Sequence, residues 1–209
     1  MEYTNRELLK QGSERLKAAG IAEADNDAWL LFSAATGMSR TDYFMRSTDA
    51  VPADAVALYL RKLKRREAHE PVQYIEGTAP FMGYEFVVNE NVLIPRMDTE
   101  ILVSEALKQA KIMYADRLHG TDFNILDMCT GSGCIAQSIY LILKKDGCET
   151  IVTAVDISDR ALEVAKLNAD RLGADISFIQ SDLFEKVSGS FSMILSNMFK
   201  SISLLFLNS

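Results

Sequence analysis

The sequence lacks any apolar run long enough to cross a membrane. The longest runs, residues 139–143 and 204–207, fall far short of the roughly 20 residues that a transmembrane helix requires. The first ten residues are charged throughout and have no apolar centre, so they do not resemble a secretory signal. We therefore predict a cytoplasmic protein that makes no membrane contact.

Potential metal ligands and positive charge are also scarce. The three cysteines and two histidines are too scattered for a structural zinc site, whose ligands usually come in closely spaced pairs. We expect Cys129, Cys134 and Cys148 to be partly buried thiols in a reducing compartment. The net charge of −7 disfavours a sequence-independent grip on nucleic acid. We predict no bound metal and no direct DNA binding.

Two regions of different periodicity make up the chain. The first 70 or so residues have helical apolar spacing, with a capping box at Thr4 and Glu7, a helix stop at Gly37 and Pro52 in the first turn of a long helix. From Phe123 onward, short apolar segments alternate with helical ones. This alternation predicts an α/β fold with a parallel sheet covered on both faces.

A β-hairpin is predicted between these two regions. Residues 81–88 alternate as a strand does, residues 89–91 supply turn residues, and residues 92–94 resume the apolar run. A helix is predicted from about Thr99 to His119, closed by Gly120. We accordingly predict a helical domain at 1–78, a hairpin linker at 79–98 and an α/β domain at 99–209.

A glycine-rich turn, from Asp127 to Gly133, follows the first parallel strand. Glycines let the backbone turn sharply and approach a ligand, and the next helix offers free amide groups to that ligand. Gly131 and Gly133, followed by Ala136, also fit the dinucleotide fingerprint, with Asp156 where a ribose-binding acid is expected. The turn alone therefore allows both a nucleotide-dependent oxidoreductase and a methyltransferase.

The acidic residues at the strand ends favour the methyltransferase. Asp127 would repel a pyrophosphate, whereas S-adenosylmethionine has no phosphate and carries an ammonium and a sulfonium group. Asp156 suits the ribose hydroxyls, and Asp182 suits the adenine amino group, with Leu183 against the ring. Any one of these acids could be a helix cap or turn former, but three at one sheet edge predict S-adenosylmethionine as the cofactor.

Five segments resemble the release factor glutamine methyltransferases (HemK/PrmC type). They are Glu70 to Ile75, Val92 to Glu100, Asp127 to Gly133, Ala154 to Ser158 and Ser181 to Phe184. The likeness extends over residues 1–197, and its most specific part is Ile-Pro-Arg-Met-Asp-Thr-Glu at residues 94–100. The resemblance implies a Rossmann-like class I methyltransferase domain, preceded by a small all-helical domain that engages the protein substrate and by a β-hairpin linker.

The same resemblance implies a substrate and a site. The substrate would be a class I peptide chain release factor, methylated on the side-chain amide nitrogen of the glutamine in its Gly-Gly-Gln loop. Asn197 would be the catalytic residue, and Arg96, Asp98 and Glu100 would either lie near the junction of linker and site or form a charge network that fixes the linker. The predicted cofactor-binding residues are Asp127, Cys129, Thr130, Gly131, Ser132, Gly133, Asp156, Asp182, Leu183 and Asn197.

The sequence departs from the family pattern after Asn197. The family has Asn-Pro-Pro-Tyr at this point, whereas Met198-Phe199-Lys200 follows here, and residues 198–209 have no family character. We interpret this as a truncation that leaves an incomplete parallel sheet, an exposed edge on its fourth strand and an apolar tail without a partner. The alternative to an active enzyme is a catalytically inactive remnant that still binds cofactor or release factor.

Two further alternatives remain open at this point. A nucleic-acid amino-methyltransferase would share the Asn-Pro-Pro-Tyr chemistry, although the acidic balance and the helical domain disfavour it. The basic run at residues 61–66 is either a solvated helix face or a contact surface for an acidic part of the partner or for RNA. The solvated face is the favoured interpretation.

Overall fold

The computed structural model of the chain describes residues 2–116, 122–198 and 201–206. The chain forms two compact units, Met1–Gly77 and Thr78–Ser209. Within the described residues, no helix combines the length and the hydrophobicity needed to cross a bilayer.

The first unit is helical, as predicted. Its core comes from apolar residues at helical spacing, among them Leu8, Leu16, Phe32 and Leu63, together with the ring of Tyr59. Two short helices, α3 (Arg40–Met45) and α5 (Val72–Glu76), were not predicted from the apolar periodicity, because they are too short to show a periodic apolar face. The unit consists of α1 Asn5–Ala18, α2 Ala24–Thr36, α3 Arg40–Met45, α4 Ala53–Glu67 and α5 Val72–Glu76.

The predicted helix ends are present in this unit. The Glu7 amide donates to Thr4 Oγ1 at 3.3 Å, and the Thr4 amide donates to Glu7 Oε2 at 2.9 Å, which completes the capping box. Gly37 has the left-handed conformation that ends α2, with a φ of 71°. Pro52 is the residue immediately before α4 rather than a member of its first turn.

The second unit begins with a hairpin, but at a different place from the one predicted. Strand β1 (Thr78–Phe81) pairs antiparallel with β2 (Tyr84–Val87), so the turn is Met82-Gly83, and residues 92–94 form no strand. Both turn residues have positive φ, 50° and 80°, as a tight hairpin turn requires. Methionine is not a typical residue for that conformation, so the sequence pattern placed Met82 and Gly83 inside a predicted strand of residues 81–88.

A five-stranded sheet forms the centre of this unit. Its order is β5-β4-β3-β6-β7, in which β3, β4, β5 and β6 are parallel and β7 pairs antiparallel with β6. Because β4 and β5 lie on one side of β3 and β6 on the other, the sheet reverses its direction of growth beside β3. The strands are β3 Asn124–Met128, β4 Ile151–Asp156, β5 Ile176–Gln180, β6 Met193–Met198 and β7 Ser201–Phe206.

Three helices connect and cover these strands. They are α6 Met97–Asp116, α7 Cys134–Lys145 and α8 Asp159–Leu172. Val103 and Ala106 of α6 and Ile139 of α7 pack on one face of the sheet with Ile125. On the other face Leu126, Met128, Val155 and Ile194 contact Val187 and Phe191, which belong to the loop between β5 and β6. The predicted end of α6 at His119 and Gly120 lies outside the described residues, and the helix starts two residues before the predicted Thr99.

The fourth parallel strand does not have the exposed edge that the sequence predicted. The backbone of β7 covers that edge in antiparallel register, with Leu204 opposite Leu195 and Ile202 opposite Asn197. The expectation of an unpartnered tail is therefore wrong for residues 201–206, because their backbone groups pair with β6. Phe199 and Leu207, which belong to the same predicted tail, lie outside the described residues.

Candidate active site

The predicted glycine turn lies at the carboxyl end of β3, beside the point where the sheet reverses. Cys129, Gly131 and Gly133 all have positive φ, at 62°, 55° and 79°. The Thr130 amide donates to the Val155 carbonyl at 2.8 Å, which attaches the turn to the end of β4. A non-glycine residue with positive φ costs conformational energy, and such residues concentrate at functional sites.

The two glycines of the turn serve different purposes. A Cβ atom on Gly133 would overlap the Gln137 side-chain amide and lie 3.1 Å from the Ala165 Cβ atom. A Cβ atom on Gly131 would meet no atom within 4 Å. Gly133 therefore permits close packing of α7 and α8, whereas Gly131 leaves free the surface on which a ligand would lie.

Asp127 lies beneath the turn and is fully buried. Its Oδ2 atom accepts hydrogen bonds from the Thr130 hydroxyl at 2.6 Å and from the Ala136 amide at 3.2 Å, so it also caps the start of α7. Its Oδ1 atom is buried and accepts no hydrogen bond from the described residues. Burial raises the pKa of this carboxyl from 3.8 to about 7, because the hydrogen bonds from Thr130 and Ala136 only partly offset the loss of hydration.

Asp156 connects the glycine turn to α8. Its Oδ2 atom accepts from the Gly131 amide at 2.9 Å, and its Oδ1 atom accepts from the Ser158 amide at 3.0 Å. Ser158 in turn caps α8 by accepting from the Ala161 amide at 3.2 Å. In this position the carboxylate already holds the turn, and its remaining acceptor sites can bind ribose hydroxyls.

The loop after β5 carries the third predicted acid. Asp182 is exposed, and the next two residues, Leu183 and Phe184, present 45% and 54% of their surface to solvent. Leu183 has a φ of 46°, so it is the second non-glycine residue of the predicted site, after Cys129, with a left-handed backbone. The exposed apolar surface next to an acid is suitable for an adenine ring with its amino group.

The electrostatic effects of the three acids converge on Cys129. Burial raises the pKa of its thiol, and the negative charges of Asp156, Asp127 and Asp182 raise it further. A residue that is sensitive to all three carboxylates lies in a region of negative potential. This region favours a cationic ligand over a pyrophosphate.

Asn197 lines a small cavity together with residues of the glycine turn. Its Nδ2 atom donates to the Thr99 hydroxyl at 2.6 Å. The cavity is open to solvent and has a volume of about 40 Å³. Its lining consists of residues 93–96, Thr99, residues 129–132, Cys134, Ile135 and Asn197. The structure thus brings Asn197 together with four of the predicted cofactor-binding residues.

The Ile-Pro-Arg-Met-Asp-Thr-Glu segment contributes both to the cavity, which residues 94–96 and Thr99 line, and to contacts that hold the hairpin. Arg96 and Asp98 form a loose, exposed ion pair with 3.7 Å between Nη2 and Oδ2, so it adds little stability. Glu100 accepts a hydrogen bond from the Met82 amide at 2.7 Å and so holds the turn of the hairpin. Of the two predicted roles, Glu100 fixes the linker, although through a backbone amide and not through a charge network.

Sequence reasoning missed Asn168 of α8. Its fully buried amide accepts from the Val87 amide at 2.7 Å and donates to the carbonyls of Val87 and Ser132, both at 3.0 Å. The side chain therefore fastens the end of the hairpin to the glycine turn. Its partners are 81 and 36 residues away along the chain, so no local pattern could have identified it.

Three of the five cations in the basic run of α4 form ion pairs within their own unit. Lys62 pairs with Glu76, Arg65 Nε with Glu70 at 2.7 Å, and Arg66 Nε with Asp27 at 2.8 Å. Arg61 and Lys64 are exposed, and the choice between a solvated helix face and a contact surface stays a prediction. The described residues also contain no group of three or more His, Cys, Asp or Glu side chains arranged to hold a metal ion.

Comparison with known proteins identifies both units. Residues 7–77 match the PrmC N-terminal domain, and residues 99–198 match the methyltransferase small domain. Release factor glutamine methyltransferases of Deinococcus radiodurans and Agrobacterium fabrum are 33% and 39% identical to the chain over 92% and 88% of its length. The chain belongs to the release factor glutamine methyltransferase family.

Membership of the release factor glutamine methyltransferase family confirms the recognition made from the sequence and, through its methyltransferase domain, the predicted cofactor S-adenosylmethionine. The oxidoreductase that the glycine spacing allowed is therefore excluded. The chain spans 65% and 62% of the lengths of the two relatives.

Among solved structures, the ribosomal protein L11 methylase of Lactobacillus delbrueckii subsp. bulgaricus matches 53% of this chain and 51% of its own, with a TM-score of 0.40 and 24% identity. The assignment of a Rossmann-like methyltransferase fold rests on the strand order and on the methyltransferase domain match, not on this weak likeness.

Proposed function

We propose that the chain uses S-adenosylmethionine to methylate the side-chain amide nitrogen of the glutamine in the Gly-Gly-Gln loop of class I peptide chain release factors. The observation that carries the proposal is the small cavity that Asn197 shares with the glycine turn, next to the buried carboxyl group of Asp127. One side of the cavity suits a cationic methyl donor, and the other suits an amide.

The residues at the turn suit this cofactor. The surface beside Gly131 is open, and the unpaired Oδ1 atom of Asp127 retains negative potential beneath it. Asp156 offers further acceptor sites for the ribose, and Asp182 with Leu183 offers an acceptor and an apolar surface for adenine. When bound, S-adenosylmethionine supplies an electrophilic methyl group.

The chain's own contribution to the reaction is orientation. An amide nitrogen is a poor nucleophile because its lone pair is delocalised into the carbonyl group. An acceptor aimed at its N–H groups orients the nitrogen and increases its electron density, as Asn197 Oδ1 can. In the transfer, the nitrogen gains the methyl group, the bond between sulfur and methyl breaks, and one N–H proton is released to water.

A second candidate function is binding without transfer. It is favoured by the sequence after Asn197, where Met198-Phe199-Lys200 stands in place of Pro-Pro-Tyr, and by the antiparallel β7 that follows. Such a protein would retain the cofactor turn and the helical unit, but it would hold the substrate amide with Asn197 alone. The two candidates differ in one measurable respect, the transfer of the methyl group.

The test is an assay with methyl-labelled S-adenosylmethionine and a purified class I release factor, with a factor whose loop glutamine is replaced as the control. We expect label that depends on that glutamine, and we expect Asn197→Ala to lower the rate by about a hundredfold, as loss of one well-aimed polar group does. If the wild-type chain transfers no label but binds S-adenosylmethionine in a calorimetric titration, the second candidate function replaces the first.

A further inference from the structure

Thr99 contacts Asn197 directly, although the two residues are 98 positions apart. Thr99 belongs to the first turn of α6, where its amide donates to the Arg96 carbonyl at 3.0 Å. It lines the same cavity as Asn197, and only 2% of its surface is exposed. A threonine with so little freedom can act as a fixed hydrogen-bond partner.

The hydrogen bond to Thr99 accompanies one of the two orientations open to the Asn197 amide. Because Nδ2 donates to the Thr99 hydroxyl at 2.6 Å, the other end of the amide, Oδ1, points away from Thr99. The described residues donate no hydrogen bond to that oxygen. Ser196, the neighbouring residue of β6, donates to the Met128 carbonyl at 3.1 Å and fixes the strand on its other side.

The orientation has a direct chemical consequence. A substrate amide nitrogen carries only N–H donors, so it requires an acceptor and would be repelled by the Asn197 NH₂ group. If the Asn197 amide were rotated by half a turn, two donors would face each other across the cavity. In the observed arrangement the Thr99 hydroxyl accepts from Nδ2, which leaves Oδ1 to accept from a substrate N–H group.

We propose that Thr99 is a positioning residue, which holds the Asn197 side chain so that Oδ1 accepts from the N–H group of the substrate amide. This inference rests on the proposed function, because it assigns Thr99 a role in the same site. It assigns no contact between Thr99 and the cofactor, and it predicts a defect in turnover, not in cofactor binding.

The test compares Thr99→Val, which is nearly isosteric but lacks the hydroxyl, with Thr99→Ser, which retains it. We expect Thr99→Val to lower kcat by about tenfold to a hundredfold, because a misplaced reacting group has effects of that size. The Kd for S-adenosylmethionine should remain at the wild-type value, and Thr99→Ser should restore most of kcat. The matched control is Thr36→Val, which removes a threonine hydroxyl bonded to the Phe32 carbonyl in the helical unit.

A second measurement does not depend on activity. In ¹⁵N-labelled protein, the side-chain NH₂ signals of Asn197 are identified by their disappearance in Asn197→Asp. We expect these signals to shift upfield and to exchange faster with water in Thr99→Val but not in Thr99→Ser or Thr36→Val. Unchanged NH₂ signals in Thr99→Val would overturn the inference.

The two measurements separate the inference from the proposed function. If the wild-type chain transfers no methyl group, the proposed function fails, and the Asn197 signals alone decide whether Thr99 fixes the amide. If the wild-type chain is active and Thr99→Val retains its kcat, the positioning role is rejected while the proposed function stands. A fall in kcat with Thr99→Ser equal to that with Thr99→Val would also reject it, since the hydroxyl would then not be responsible.

Discussion

Asp127 illustrates how one residue can serve the fold and the ligand at once. Two of its contacts, to Thr130 and Ala136, hold the glycine turn and the start of α7. Its other oxygen remains buried without a partner, which is costly unless the carboxyl is protonated or a positive charge lies nearby. The residue thus reduces stability in the absence of ligand and favours the binding of a cation.

The pH dependence of stability should reveal this cost. The pKa of Asp127 is about 7 in the folded chain and near 3.8 when unfolded, so the folded state binds the proton more tightly. The stabilisation from its protonated form is fully present below about pH 4 and is lost as the pH rises through about 7. We expect Asp127→Asn, which cannot ionise, to gain stability relative to the wild type between pH 5 and about 8.

Denaturant unfolding of both proteins across this pH range measures the effect. Asp127→Asn places an unpaired NH₂ group near the buried Oδ1 position, which costs about 1–3 kcal/mol at every pH. Only the change in the difference between the two proteins therefore reports on ionisation. Parallel stability curves from pH 5 to pH 8 would show that Asp127 remains ionised in the folded chain.

At the scale of single elements, the glycine turn joins a strand to a helix and leaves one surface open. We expect Gly133→Ala to destabilise the chain by more than about 2 kcal/mol, because it combines a positive φ with an overlap on Gln137. Gly131→Ala has the strained φ but no clash, so we expect a cost of about 1–2 kcal/mol.

Gly131→Ala and Gly133→Ala should rank in the opposite order in their effect on cofactor binding. Gly131→Ala places a methyl group on the open surface, so calorimetry should show a larger rise in the Kd for S-adenosylmethionine, per unit of lost stability, than Gly133→Ala does. If Gly131→Ala binds the cofactor as tightly as the wild type, the open surface beside Gly131 is not the binding surface.

Elements with strong local signals could be predicted from the sequence. Helix α7 begins directly after the predicted glycine turn, and α8 lies between the Ser158 cap and the left-handed Gly173. The prediction of the hairpin was wrong because Met82 takes a left-handed conformation that is not typical of methionine. The side chain of Glu100 in α6 supports this conformation by accepting a hydrogen bond from the Met82 amide. Because this turn depends on a hydrogen bond to a residue distant in the sequence, no local sequence pattern predicts it.

The residues of the candidate site also differ in whether a local sequence pattern predicts them. The glycine turn and Asn197 could be predicted, because a motif carries them within a few residues. Asn168 could not, since it acquires its role from a partner brought close only by folding, 81 residues away along the chain. Thr99 lies within the Ile-Pro-Arg-Met-Asp-Thr-Glu segment, but its contact with Asn197, 98 residues away, forms only on folding. Sequence motifs therefore locate candidate ligand-binding groups more readily than the contacts that hold those groups in place.

At the scale of the whole molecule, pairing within each unit covers part of the basic run and the edge of the sheet. Three cations of the basic run of α4 pair with Glu76, Glu70 and Asp27, while Arg61 and Lys64 remain exposed. The edge of β6 is covered by β7.

Covering the edge of β6 should determine whether the chain remains dispersed in solution. Met193 and Leu195 of β6 are fully buried, and their strand would present unpaired amide and carbonyl groups if β7 were removed. We expect a variant that ends at Met198 to associate at concentrations where the whole chain does not, as measured by light scattering after size-exclusion chromatography. A variant that lacks only residues 207–209 is the matched control, since it retains all of β7, which ends at Phe206. If the variant ending at Met198 elutes and scatters as the control does, the pairing of β7 with β6 is not what keeps the sheet edge from associating, and the edge must be protected within β6 itself.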